Sequence, residues 1–285
     1  MQESIAPAPR TGAELRNHYE TEKALANRLR AAPKADRLRL YRELYDELYR
    51  RVPDHPMLTR KVTAAETAAQ VENQMRYLSN FLRPEMIVLE IGAGDCALSF
   101  AMAQRVKMVY GLEVSKIISS QVDTPKNFEL ILSDGVSIPV PAASVDLAYS
   151  NNVMEHLHPE DAAEQMSNIY RVLKPGGIYL CTTPHNLQGP TDISQLYDDV
   201  PTCLHMKEYT YSELSQLFRR AGFFRTAAYV NKSGTYHRVP MWFIRAFEAL
   251  ARAVFGKKRF AARQILIGRK PFSVLGQGIN IIGYR

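Results

Sequence analysis

The sequence predicts an α/β fold built on a mostly parallel sheet, and three observations predict it. From Met86 onward, short apolar and β-branched runs alternate with helical patterns, the arrangement that lays helices on both faces of a parallel sheet. The first run, Met86 to Ile91, stops at Gly92 and Gly94 and continues into Leu98, Ala101 and Met102 at helical spacing, which reads as strand, tight turn and helix. The chain has 285 residues and is 46% hydrophobic, enough to bury a large core.

Ahead of this unit, after a loose Met1 to Thr11, periodicity predicts helices over Ala13 to Arg30 and Ala35 to Arg51. The second carries a stripe of Leu40, Tyr41, Leu44, Tyr45, Leu48 and Tyr49. The stripe reads as core packing, with a lid over a ligand as the sharper alternative. Pro53 and Pro56 break the pattern, and a third helix runs from Leu58 to Leu82 before Pro84. These helices make residues 1–84 an N-terminal helical cap on a domain of residues 85–285. Residues 1–30 hold no apolar run of signal-peptide length, and no stretch reaches about 18 apolar residues, so the expected location is cytoplasmic. Cys96, Cys181 and Cys203 lack C-x-x-C or zinc spacing and read as reduced thiols.

The glycine turn is a ligand site, because Gly92 and Gly94 let a ligand approach backbone beside the unpaired N–H groups of a helix N-terminus. Gly92, Gly94 and Ala97 also satisfy G-x-G-x-x-G/A, the dinucleotide pattern. Charge separates the readings. Glu90 and Asp95 flank the glycines and oppose a pyrophosphate, whereas S-adenosylmethionine (SAM) carries a sulfonium and an ammonium that they attract. The second strand, Met108 to Val114, brings Glu113 about 20 residues after the first glycine, where a strand-end acid accepts ribose hydroxyls. The third, Phe128 to Leu132, ends in Ser133-Asp134-Gly135, with an Asx turn as the competing reading of Asp134. The fourth starts at Val145 and ends in Asn151-Asn152.

With Glu90, Gly92 and Gly94 matching acidic-x-Gly-x-Gly, the chain resembles the class I SAM-dependent methyltransferases, in particular the small-molecule type related to quinone biosynthesis. The resemblance covers roughly Met86 to Gly222, and Cys96 stands where the family has a third glycine. It implies a Rossmann-like seven-stranded sheet whose last strand is antiparallel. It implies that SAM is held by Glu90, Gly92, Gly94, Glu113, Asp134, Gly135, Asn151 and Asn152, with Glu113 on the ribose and Asp134 on the adenine amino group. The two asparagines would line the junction with the acceptor. Leu173-Lys174-Pro175-Gly176-Gly177 before the fifth strand, Ile178 to Thr182, is the most specific secondary motif.

Glu155-His156-Leu157-His158-Pro159-Glu160-Asp161 offers metal-ligand types, but its histidines are i, i+2, and Pro159 with two acids fits the first turn of a helix. No metal is expected. Residues 184–207 read as a long loop bordering the substrate crevice. Thr210 and Glu213 form a capping box for a helix ending at Gly222, and a sixth strand follows over Phe223 to Val230. For hydroxyl acceptors a proton-accepting base is needed. His205, ending the loop before a family-like helix entry, is the first candidate, and His185 the second, with His156 also considered.

Residues 219–285 carry 14 Lys or Arg and one acid, a net +13 against −6 for the remainder. A basic helical insertion is expected at about 236–270, before a last strand at Asn280 to Tyr284. Phe243, Phe247, Leu250 and Val254 form its apolar stripe, and Arg238, Arg245, Arg252 and Arg259 recur every seven residues, with Lys257 and Lys258 adjoining. Core packing of the stripe and contact with a membrane surface are both open; nucleic acid is disfavoured because no RNA-binding motif is present. The expected function is methyl transfer from SAM to a small-molecule, glycan or lipid-linked acceptor, with O-methylation favoured. An NAD-dependent oxidoreductase and a non-catalytic SAM-fold module are the alternatives.

Overall fold

Thr11 and Glu14 form a reciprocal capping box that opens α1 (Gly12–Ala31), and Pro33 precedes α2 (Lys34–Arg51). The computed structural model describes residues 10–59, 64–115, 124–232, 235–255 and 278–285. Of the predicted third helix, the described residues hold α3 (Pro56–Thr59) and α4 (Ala64–Leu78). Helix α4 stops short of Leu82 because the Ser79 hydroxyl donates to the Met75 carbonyl and the Asn80 amide to those of Arg76 and Tyr77, satisfying the last-turn acceptors.

The sheet follows in β1 (Ile87–Ile91), β2 (Met108–Glu113), β3 (Phe128–Leu132), β4 (Val145–Asn151), β5 (Leu173–Thr183), β6 (Arg225–Lys232), β7 (Thr235–Val239) and β8 (Ile279–Tyr284). Helices α5 (Ala97–Ala103), α6 (Pro159–Val172), α7 (Tyr211–Ala221) and α8 (Met241–Phe255) intervene. Strand order is β3-β2-β1-β4-β5-β8-β6-β7. Strands β1 to β5 pair in parallel, and β8 runs antiparallel between β5 and β6. The expected α/β architecture is present, with eight strands rather than seven among the described residues. The additional one, β7, makes a hairpin with β6; its Thr-Tyr-His-Arg-Val alternation was assigned to the basic insertion because of Arg238. β5 begins earlier than Ile178, since Leu173 already pairs with Val145 before a register shift across Lys174 to Gly177.

Two apolar layers hold the sheet. One face packs against residues of α1, α2, α6 and α7, including Leu25, Leu44, Met166 and Phe218. The other packs against α4 and α5 through Leu78, Leu98 and Met102. The tyrosine stripe of α2 thus does pack on the core, with Tyr41 buried. Its neighbour Arg37 forms a bidentate pair with Asp161 at 2.7 and 2.9 Å, and the Tyr41 hydroxyl donates to the same carboxylate. The Pro159-Glu160-Asp161 turn therefore begins α6, as its sequence predicts, and also pins the helical cap. A second tie joins α1 to the 184–207 loop, where Tyr19 donates to Asp198 and Arg30 to the Thr202 and Cys203 carbonyls.

Candidate functional site

At the carboxyl ends of β1, β2 and β4 lies a cavity of about 700 Å³, the place where open α/β sheets bind ligands. Gly92 and Gly94 form part of its floor, with φ of +74° and +54°. A Cβ on Gly92 would lie 2.5 Å from Val153, whereas one on Gly94 would meet no protein atom within 4 Å. Gly94 is therefore bare toward the cavity. Cys96, at the third-glycine position, also takes a left-handed conformation, φ +64°, so the turn keeps its shape there at the strain of a non-glycine residue.

Glu113 closes the floor from the end of β2. One carboxylate oxygen accepts from the Gly94 N–H at 2.8 Å and the other from the Val114 and Ser115 N–H groups, so strand end and glycine turn are locked together. Asn151 and Asn152 line the cavity past β4, and Gly135 and Ser133 past β3. Two predicted residues are not brought to its wall. Glu90 is buried behind the turn and accepts from Ser99 at 2.5 Å; burial pushes its carboxyl up to about 8. Asp134 folds back on its own turn, accepting from the Val136 and Ser137 N–H groups and the Ser137 hydroxyl. Burial would raise it, but these bonds hold it below the ordinary carboxylate value. It adopts the Asx turn that competed with an adenine contact.

The roof comes from the cap. Tyr45, Leu48 and Tyr49 of α2, Glu22 of α1 and His55 face the cavity, so the stripe both packs and lids. Although burial disfavours its charge, Glu22 is held at about 2 by hydrogen bonds from His18 and His55. The remaining wall holds Asp192, His156 and His205. His205 Nδ1 lies 2.9 Å from Glu208 and 3.2 Å from the Thr191 hydroxyl. Burial lowers its pKa, but Glu208, Glu155 and Asp192 outweigh burial and leave it raised. His156, packed edge-on against His205 at 4.8 Å, is pushed down to about 3 by burial and by His205.

His185 stands elsewhere. It is wholly buried, with Nε2 2.9 Å from Glu248 and Nδ1 accepting from the Leu187 N–H. Glu248, on α8, in turn accepts from the Tyr211 and Ser212 N–H groups that open α7. This pair joins two helices away from the cavity, so His185 serves packing rather than proton transfer. Ligand-type atoms of Glu155, His156 and His205 lie within 4.8 Å of one another, as do those of His18, Glu22 and His55. In the second group Arg10 donates to His18 Nδ1, which leaves the proton on the nitrogen facing Glu22. The first group became visible only in three dimensions, since local spacing compared His156 with His158 and not with His205. The α2 part of the roof is the lid that the stripe offered as an alternative, but Glu22 and His55 were missed for a related reason: Glu22 in an amphipathic helix reads as a solvated charge until His18 and His55 are seen beside it.

Helix α8 decides against the core-packing reading of its stripe. Its buried face is Ile244, Glu248 and Ala251, while Trp242, Phe243, Leu250 and Val254 are exposed. The apolar stripe is therefore not core. Arg238 lies on β7 rather than on the helix, and Lys257, Lys258 and Arg259 lie outside the described residues.

Residues 89–181 match a family model described as a methyltransferase domain. A probable SAM-dependent methyltransferase of Mycolicibacterium smegmatis is 31% identical over 137 residues, 48% of this chain and 51% of the relative. A malonyl-acyl-carrier-protein O-methyltransferase of Xylella fastidiosa is 26% identical over 148 residues, 50% of this chain and 48% of the relative. The chain spans about half the length of these curated relatives. Two solved structures share the fold at a TM-score of 0.51. One is the putative methyltransferase of a Haloferax volcanii complex with the Trm112 activator, 16% identical, covering 78% of this chain and 94% of the other. The other is a SAM-dependent methyltransferase, possibly acting on histamine, of Thermotoga maritima, 15% identical, covering 80% and 98%. Residues 89–181 of this chain are thus similar to a methyltransferase domain, and the fold of the chain is that of SAM-dependent methyltransferases. The dinucleotide reading of the glycine turn is not favoured.

Proposed function

We propose that the chain transfers the methyl group of SAM to an oxygen of a small-molecule, glycan or lipid-linked acceptor. The observation that carries this reading is the charge of the cavity: Glu22, Glu113 and Asp192 line it, and among the described residues no Lys or Arg does. A pyrophosphate would be buried there without a counter-charge, whereas a sulfonium and an ammonium find carboxylates. Bound SAM supplies a methyl group already activated for in-line displacement. The protein's work is then to orient and to exclude water. Glu113, fixed by three backbone N–H groups, accepts from the ribose, and the bare Gly94 admits the ligand to the turn. The α2 roof covers it, and Asn151 and Asn152 mark the junction with the acceptor. Donation from His205 Nδ1 to Glu208 leaves Nε2 as the lone pair that takes the acceptor's proton.

Labelled SAM incubated with the protein and with host metabolite and lipid extracts should give a product whose labelled carbon is an O-methyl by NMR; an N-methylated product would overturn the oxygen assignment. The reading uses no metal, so excess EDTA should leave turnover unchanged. Loss of turnover restored by a divalent cation would contradict that and point to Glu155, His156 and His205.

The exposed apolar and cationic faces of α8 support a cytoplasmic enzyme that touches an anionic membrane surface. No helix among the described residues is long and apolar enough to cross one. Sedimentation with anionic vesicles should be salt-sensitive and weakened by Arg245→Glu with Arg252→Glu. Failure of the native protein to bind at low salt would remove the membrane from the account.

A further inference from the structure

A second cavity, of about 550 Å³, opens beside the first between α4 and the upper ends of β4 to β8. Among the described residues its lining is six carboxamides, three tyrosines and one threonine, with no charged group. A phosphate, a carboxylate or an ammonium placed there would lose its hydration without a counter-ion. Carboxamides and hydroxyls each both donate and accept, which is the pattern presented by a molecule rich in neutral hydroxyls.

Two further features point to such a ligand. The rings of Tyr77 and Tyr236 stack on each other at 4.2 Å in its wall, an aromatic pair whose outer surface is of the apolar kind against which the C–H side of a saturated ring packs. The Tyr77 hydroxyl is buried and has no hydrogen-bond partner among the described residues, whereas Gln74 accepts from the Tyr149 hydroxyl and Asn280 from Thr182. Gln70 and Asn151 line both cavities, so a molecule seated in the second meets the methyl-donor site at Asn151.

We infer that the second cavity is the acceptor site and that the acceptor is a neutral saccharide, free or as the glycan portion of a larger molecule. The inference rests on the SAM reading of the first cavity. One sugar hydroxyl oxygen gains the methyl as the methyl–sulfur bond of SAM breaks, the bonding pair remains on sulfur, and the hydroxyl proton passes to His205.

The test is saturation-transfer NMR on the full chain loaded with S-adenosylhomocysteine, using neutral methyl pyranosides and disaccharides beside glucosamine, glucuronic acid and glucose 6-phosphate. SAM affinity is measured separately by calorimetry. Neutral saccharides should give transfer and the charged ones should not. Tyr236→Ala and Gln74→Ala should each weaken saccharide binding about fivefold or more, and Tyr77→Phe, which keeps the ring and the fold, should do so as well, all with SAM affinity within about twofold of native. SAM binding without any saccharide signal, equal signals from charged sugars, or variants that leave saccharide binding unchanged would overturn the acceptor assignment. Absence of SAM binding would instead be the failure of the earlier reading.

Discussion

Replacing Gly92 by alanine tests whether the turn under the cavity has the geometry described. The residue holds φ at +74°, and the added Cβ would sit 2.5 Å from Val153 Cγ2. A left-handed alanine costs about 1–2 kcal/mol, and turning Val153 out of its rotamer costs about 0.5–1.5 kcal/mol more. The less flexible unfolded chain returns about 0.5–1 kcal/mol. The net loss is then about 0.5–3 kcal/mol, a fall in melting temperature of roughly 1–12 °C for a domain of this size. Differential scanning calorimetry measures it, and Val153→Ala in the same chain should recover the steric part. Gly94→Ala provides the contrast. With φ +54° and no protein atom within 4 Å, it should cost less stability yet lower SAM affinity, because its methyl group occupies ligand space. A Gly94 variant less stable than the Gly92 variant, or no recovery with Val153→Ala, would refute the geometry.

Other parts of the molecule answer to different perturbations. Arg37→Ala leaves Asp161 buried without its cation and should destabilise by about 3–5 kcal/mol, read as a thermal shift. Asp161 is strongly desolvated, but Arg37 and Tyr41 hold its pKa below the ordinary value. Its contribution is therefore complete above the unfolded-state pKa and disappears as pH falls through the lower folded value. The acid limb of the stability profile should flatten in Arg37→Ala and stay steep if the pair is unimportant. His205→Ala should cut turnover by about 10²-fold or more with SAM affinity kept, while equal losses in both would make it a structural residue. His185→Ala should do the reverse, lowering the melting temperature by stranding Glu248 and sparing the turnover of the folded fraction; a turnover loss without destabilisation would restore it as a base.

The sheet was legible because each strand of the core is a short apolar run closed by turn chemistry, and the glycine turn because its residues must be small. Glu113, Gly92 and Gly94 are local features of one β-turn-α-β unit, so spacing found them. The rest depended on contacts between distant segments. Asp134 and Glu90 sit at family-like positions, but Ser137 and Ser99, a few residues away, take up their carboxylates. The helix-entry motif ranks His205 above His185 in sequence, but what divides them in space is that Glu248 lies 63 residues from His185 while Glu208 lies three from His205. Arg238 fitted a heptad that the β6–β7 hairpin interrupts, and the phase of α8 placed Phe243 and Leu250 outward because Glu248 is drawn inward by His185 and the start of α7.

The central claim is a cavity made for a cationic methyl donor, and isothermal titration of the native chain with SAM and, separately, with NAD tests it most directly. The account predicts saturable SAM binding in the micromolar range, about −8 kcal/mol, abolished by Gly92→Arg, and no heat with NAD. NAD binding with none for SAM, or SAM binding that survives Gly92→Arg unchanged, would contradict it.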